Sequence, residues 1–198
     1  MNWGDIQIES LKKMFLNTEN ITADNLENYK NDKKYKTYLF AMPQACNEAI
    51  KHIASRLGTE TEKYTLEYSE ENIFDLGNYI PDMRKVKRIV CPSGVKYRMI
   101  TSKVIQIDNW ISGDIDIYYE LEVDVIKSNT LPTKKINSIK EEYVTMIPLY
   151  IAGELYKDDD LSMATMYMNE FFNMISSYAG ENQYIDNPTI NTIYRIGD

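Results

Sequence analysis

"IPLYIAGELYKDDDLSMATMYMNEFF", residues 147–172, is the stretch whose reading decides the fold. Pro148 suits the first turn of a helix, where its missing N–H costs nothing, and Ile147, Ile151 and Leu155 recur at helical spacing. After Asp158, Asp159 and Asp160 a second stripe begins, made of Leu161, Ala164, Thr165, Met168, Phe171, Phe172, Ile175 and Tyr178. Two apolar-periodic segments around a short acidic break predict an antiparallel helical hairpin. Its second helix is expected over 160–178, with Gly180 as the stop. Asp159 and Asp160 are the expected caps of that helix, and all three carboxylates favour its positive end. A metal or catalytic reading of the triplet needs converging partners. No histidine lies nearby, and no second acidic motif has ligand spacing.

Upstream, residues 5–16 place Ile8, Leu11, Met14 and Phe15 on one helical face. Thr22 is the expected N-cap of a short helix through Tyr29. A long stripe then runs from Tyr35 through Leu39, Met42, Cys46, Ala49, Ile50 and Ile53 to Leu57, closed by Gly58. Pro43 lies inside it and is expected to kink or divide the helix. From residue 60 the texture changes. "KYTLEYS", "VKRIVC", "VKYRMITSKVIQI" and "DIDIYYELEVDVI" are rich in Val, Ile, Thr and Tyr, and turn residues separate them.

The expected fold class is therefore α+β. A helical core from residues 1–59 and 141–180 carries an inserted small antiparallel β module at 60–127. Residues 128–140 read as a linker and 181–198 as a C-terminal tail without strong periodicity.

With 198 residues the chain can build one real core, with a subdomain at most. No apolar run approaches the ~20 residues needed to cross a bilayer, so no membrane is expected. Residues 1–10 lack the basic-then-apolar pattern of a secretory signal. Two unpatterned cysteines and a single histidine, His52, argue against a structural zinc site, and no cofactor is expected. Cys46 on the long helical stripe reads as a core residue, and His52 beside Ile53 as a partly buried or surface histidine. Asp114 and Asp116 sit next to a turn, where paired carboxylates rarely converge on substrate, so no enzyme is expected. "RKVKR", Arg84–Arg88, reads as a solvated strand edge rather than an interaction patch. The net charge is −8, and its placement is lopsided. Residues 141–198 hold 10 acidic and 2 basic side chains, while residues 1–140 hold 20 of each. A protein that grips nucleic acid would show the opposite sign.

Three stretches together resemble the head–tail connector proteins of tailed bacteriophages, also called adaptor or neck proteins or tail accessory factors. They are "YKTYLFAMPQACNEAIKHIA" (35–54), "FDLGNYIPDMRKVKRIV" (74–90) and "IPLYIAGELYKDDDLSMATMYMNEF" (147–171). Pro43, Asn47, Ala49, Pro81, Pro148, Ala152, Leu155, Asp158, Asp159, Ala164, Tyr167, Asn169, Glu170 and Phe171 carry the resemblance. It implies a structural virion protein, assembled in the host cytoplasm, that forms a ring, commonly a dodecamer. The ring docks on the portal and joins the DNA-filled capsid to a downstream tail or neck protein. DNA passes through without specific binding. Connector C-termini dock on the portal, which makes Tyr184, Ile185, Ile190, Ile193, Tyr194 and Ile196 the expected portal contacts. The alternative is a tail or fibre attachment module with a β-rich interaction domain.

Overall fold

The computed structural model describes residues 1–15, 18, 20–22 and 24–185, with side chains as far as residue 180. Its helices are α1 (Trp3–Met14), α2 (Leu26–Tyr29), α3 (Lys36–Leu57), α4 (Leu76–Tyr79), α5 (Glu141–Val144), α6 (Ile147–Leu155) and α7 (Leu161–Ile185). Its strands are β1 (Thr61–Leu66), β2 (Ile73–Asp75), β3 (Met83–Val90), β4 (Lys96–Met99), β5 (Val104–Asp108) and β6 (Ile115–Leu121). The chain is α+β: N-terminal helices, two small three-stranded antiparallel sheets, then C-terminal helices that pack together.

The hairpin organises the helical part. Every residue of α6 from Ile147 to Gly153 is buried, because α1, α3 and α7 all pack on it. Gly153 sets the spacing of the hairpin. A Cβ there would lie 2.8 Å from Met168 Cγ and 3.2 Å from the Ala164 carbonyl oxygen. Phe171, Ile175 and Tyr167 of α7 enter the same core as Leu39, Met42, Cys46, Ile50 and Ile53 of α3.

Three expectations are corrected here. Pro43 does not divide α3, which runs for 22 residues through it. Its neighbours Met42, Ala45 and Cys46 are fully buried, and that packing outweighs one lost backbone bond. α7 does not stop at Gly180 but continues to Ile185. An exposed glycine costs a helix only about 1 kcal/mol relative to alanine, and stops it only where a left-handed turn follows. Thr22 does not cap α2. Asn25 is the N-cap residue, and its side chain accepts from the Thr22 N–H instead.

Residues 128–140 are packed against the start of α1. Trp3 N donates to Lys134 O and Gly4 N to Pro132 O, both at 2.8 Å. A capping box between Asn2 and Asp5 satisfies the remaining first-turn donors. Ile136 and Ile139 join the helical core, and Ser138 is buried.

The β module has a core of its own. Sheet order is β1-β6-β3 in one sheet and β2-β5-β4 in the other, all antiparallel. Between them lie Leu66, Phe74, Leu76, Ile80, Met83, Ile105, Ile107, Ile115 and Ile117. The last strand of the module ends at Leu121. Ile126 already belongs to the helical core.

Hydrogen bonds clamp the two parts together. Asn47 of α3 donates from Nδ2 to Ile126 O at 2.8 Å and accepts from Ile126 N at 2.7 Å. Asp124 Oδ2 accepts from Asn137 N at 2.7 Å and Ser138 N at 2.8 Å. Lys134 Nζ lies 3.0 Å from Asp124 Oδ1. Burial pushes the Asp124 pKa up, but its hydrogen bonds to Lys134, Ser138 and Asn137 win, and the net shift is downward.

Two outcomes follow for stability. Asn47→Ala leaves both backbone groups of a half-buried segment unpaired and should lower the unfolding free energy by about 1–3 kcal/mol in urea melts. For Asp124 the folded pKa is the lower one. Its contribution is therefore complete above the unfolded value of ~3.9 and is lost as pH falls through the folded value. Asp124→Asn should be less stable than wild type at neutral pH, and the gap should narrow in melts taken below about pH 4.

Candidate functional site

The turn at 156–160 closes the hairpin. Asp160 is the residue immediately before α7, so its carboxylate lies beside the free N–H groups. Oδ1 accepts from Ser162 N and Met163 N, each at 3.0 Å. Asp159 does not cap. One residue further from the helix, it faces α3, where the Tyr38 hydroxyl donates to its Oδ2. That bond, followed by burial, pushes the Tyr38 pKa up to about 12. Asp158 is exposed and makes no hydrogen bond or ion pair with the described residues.

Two tyrosines complete this end of the molecule. Tyr156 donates to Met14 O and Tyr167 donates to Lys13 O at 2.7 Å, satisfying last-turn carbonyls of α1. Their rings stack with centroids 6.3 Å apart. Phe15 meets Tyr35 and Tyr38 edge-on nearby. Sequence reasoning left these hydroxyl roles unassigned, because the partners are backbone carbonyls more than 140 residues away.

The remaining sequence candidates are placed as follows. His52 lies against Tyr150 and Phe172, with ring centroids at 5.4 and 5.6 Å. Cys46 is fully buried, and its thiol pKa is pushed up by burial and then by the Asp124 charge. Asp116 accepts from Thr65 Oγ1 at 2.9 Å and pairs with Lys63 at 3.3 Å across the β1–β6 ladder. It is thus a cross-strand residue, held by Lys63 and Thr65 of β1. Among the described residues no group of three or more His, Cys, Asp or Glu is arranged to hold a metal ion. No helix among them is long and apolar enough to cross a membrane. Tyr184, Ile185, Ile190, Ile193, Tyr194 and Ile196 lie outside the residues whose side chains are described.

The structure adds a feature around Arg84–Arg88. β3 is an edge strand, as expected, but it faces a second edge, β4. A groove of about 440 Å³ opens between them, walled by Val86, Ile89, Tyr97 and Met99 and rimmed by Lys85, Lys87 and Arg88. Arg84 and Lys85 approach Glu120 at 4.0 and 3.3 Å, and Arg88 lies 4.5 Å above the Tyr118 ring. From Met83 to Ile107 the chain has seven basic residues and no acidic one.

The two charged features lie at opposite ends of the helical base. The acidic turn contacts Tyr38 near the start of α3, and the β module grows from its other end at Gly58. At 1.5 Å per residue that separation is about 30 Å. From residue 141 to 180 there are seven acidic residues and one lysine. No protein-family model matches the chain, and no curated protein matches it.

Asp160→Ala should destabilise the protein by about 1 kcal/mol, the usual cost of a lost N-cap. Asp159→Ala should cost less and should lower the Tyr38 pKa, leaving only the part of the rise that burial and Tyr156 cause. Urea melts and ultraviolet titration of the phenols check both.

Proposed function

We propose that this protein is a ring-forming head–tail connector subunit of a tailed bacteriophage. The observation that carries the reading is the placement of an acidic turn at one end of the helical base and a local run of seven basic residues, Arg84 to Lys103, in the β module at the other. Unlike, separately placed surfaces favour head-to-tail contacts, and head-to-tail contacts that close form rings. The acidic end suits a channel for DNA, since carboxylates repel phosphates and let a duplex slide. The stretches at 35–54, 74–90 and 147–171 support the same reading through their resemblance to connectors. In it the helical base forms the ring wall, and the β module projects toward a neighbouring component. The apolar positions of the tail, among them Ile193 and Tyr194, are its proposed portal contacts.

A second reading has one observation in its favour. The β module has its own core and an open groove, as an attachment module of a tail or fibre would.

Electron microscopy of the protein mixed with the portal of its own virus separates the two. Rings seated under the portal are expected, and Ile193→Asp with Tyr194→Asp should abolish them. Bare portals beside a monomer or trimer would favour the attachment module.

A further inference from the structure

A small recess opens between the starts of α1 and α3. It holds about 120 Å³ and is walled by Trp3, Leu39, Phe40 and Pro43. An apolar cavity of about 150 Å³ takes up one benzene molecule, so this space admits a single apolar side chain. Gln7 also lines it. That residue is only 3% exposed, yet its side-chain amide makes no hydrogen bond with the described residues. A buried amide left unpaired is costly, and a visiting polar group would relieve it. Two cations add to the lining. Lys30 is already held by Glu27 at 2.5 Å, whereas Lys36 is exposed and makes no ion pair with the described residues. The recess therefore matches an apolar side chain accompanied by a hydrogen-bonding group and a carboxylate.

The turn of the hairpin carries all three. Leu161, the first residue of α7, is 71% exposed. Asp160 takes the N–H groups of Ser162 and Met163, while the Leu161 N–H makes no hydrogen bond with the described residues. Asp158, three residues earlier, is exposed and equally without a partner among them. A lone exposed leucine needs no explanation. This one stands between a free N–H and a free carboxylate, and the recess answers each of them.

We infer that Leu161 of one copy enters the recess of the next, its N–H donating to the Gln7 side-chain oxygen and Asp158 pairing with Lys36. The inference rests on the ring-forming reading for the closure of successive copies, and it names the contact that joins them. Within one copy the two surfaces do not meet. Tyr38, which holds Asp159, is separated by about 140–160° around α3 from Lys36, Phe40 and Pro43. Turn and recess thus lie on opposite sides of that helix, and a contact between them is head-to-tail. Phe40, 79% exposed in the subunit, becomes the aromatic anchor of the joint.

Sedimentation of the full-length protein, without portal, tests this. Wild type should associate as its concentration rises, and less so as salt is added. Leu161→Lys and Phe40→Glu change exposed positions, so both should keep the wild-type circular dichroism. Each alone should weaken association by about tenfold or more. An equimolar mixture of the two retains one intact knob and one intact recess, and should stop at a one-to-one dimer. Asp158→Lys should weaken assembly, and adding Lys36→Asp to it should restore assembly. Three results would overturn the inference. They are a wild type that stays monomeric at every concentration, which gives the recess to another partner; association that neither variant weakens; and a mixture no more associated than its components, which indicates contact between like faces. Portal-bound rings formed equally well by either variant would also overturn this contact while leaving the ring reading standing. A head-to-tail dimer in the mixture, with no wild-type rings under the portal, would keep the contact and remove the ring.

Discussion

The clamp between α3 and the chain leaving the β module is the constraint on which the rest of the structure depends. The chain passes from the helical core to the β core near Gly58 and returns by Ile126. Each passage carries backbone groups that must be satisfied away from regular structure. Glu60 N bonds Ser138 O, Leu121 N bonds Glu60 O, and Glu122 N bonds Asp82 O. Asn47 then acts as a one-residue strand for Ile126, offering a donor and an acceptor at once. Asp124 gathers the turn at 137–138 in the same way. These bonds join the β module to the end of α3 and to the segment at 137–138.

A fixed junction makes the charge division meaningful. α3 alone puts about 30 Å between the acidic turn at Tyr38 and the start of the β module at Gly58. That is several times the ~8 Å over which salt screens charges in physiological solution. The acidic turn and the basic run from Arg84 to Lys103 therefore do not screen one another directly, although the β module as a whole carries more acidic than basic side chains. The acidic excess alone, read as a total of −8, conceals this.

The helical pattern was the most legible part of the sequence. Ile147, Ile151 and Leu155, then Ala164, Met168 and Phe171, followed one another at the spacing that burial requires. The hairpin around Asp158–Asp160 came directly from that. Helix ends were less legible, because they rest on single contacts. Gly180 carried a stop signal that α7 ignores, and Asp159 could not be told from Asp160 until the start of α7 was placed. The clamp was not legible at all. Asn47 and Asp124 have ordinary sequence surroundings, and their partners are backbone groups of Ile126 and Ser138. The groove was hidden for a related reason. A basic strand, a Pro-Ser-Gly turn and another strand read as a closed hairpin, and only the pairing of β3 with β6 and β4 with β5 shows that it is open.

Splitting six strands into two sheets leaves four edges where one sheet would leave two. All four are guarded in recognisable ways. β2 is only three residues long, and β1 carries Glu62 and Lys63. β3 is bulged twice and lined with cations, both of which discourage a stray strand. β4 is guarded by Lys96 and Arg98. All four of its residues are exposed, and Tyr97 and Met99 alternate with Lys96 and Arg98, so that one apolar pair looks into the groove. On every edge, then, length, bulges or charge stand against a stray strand.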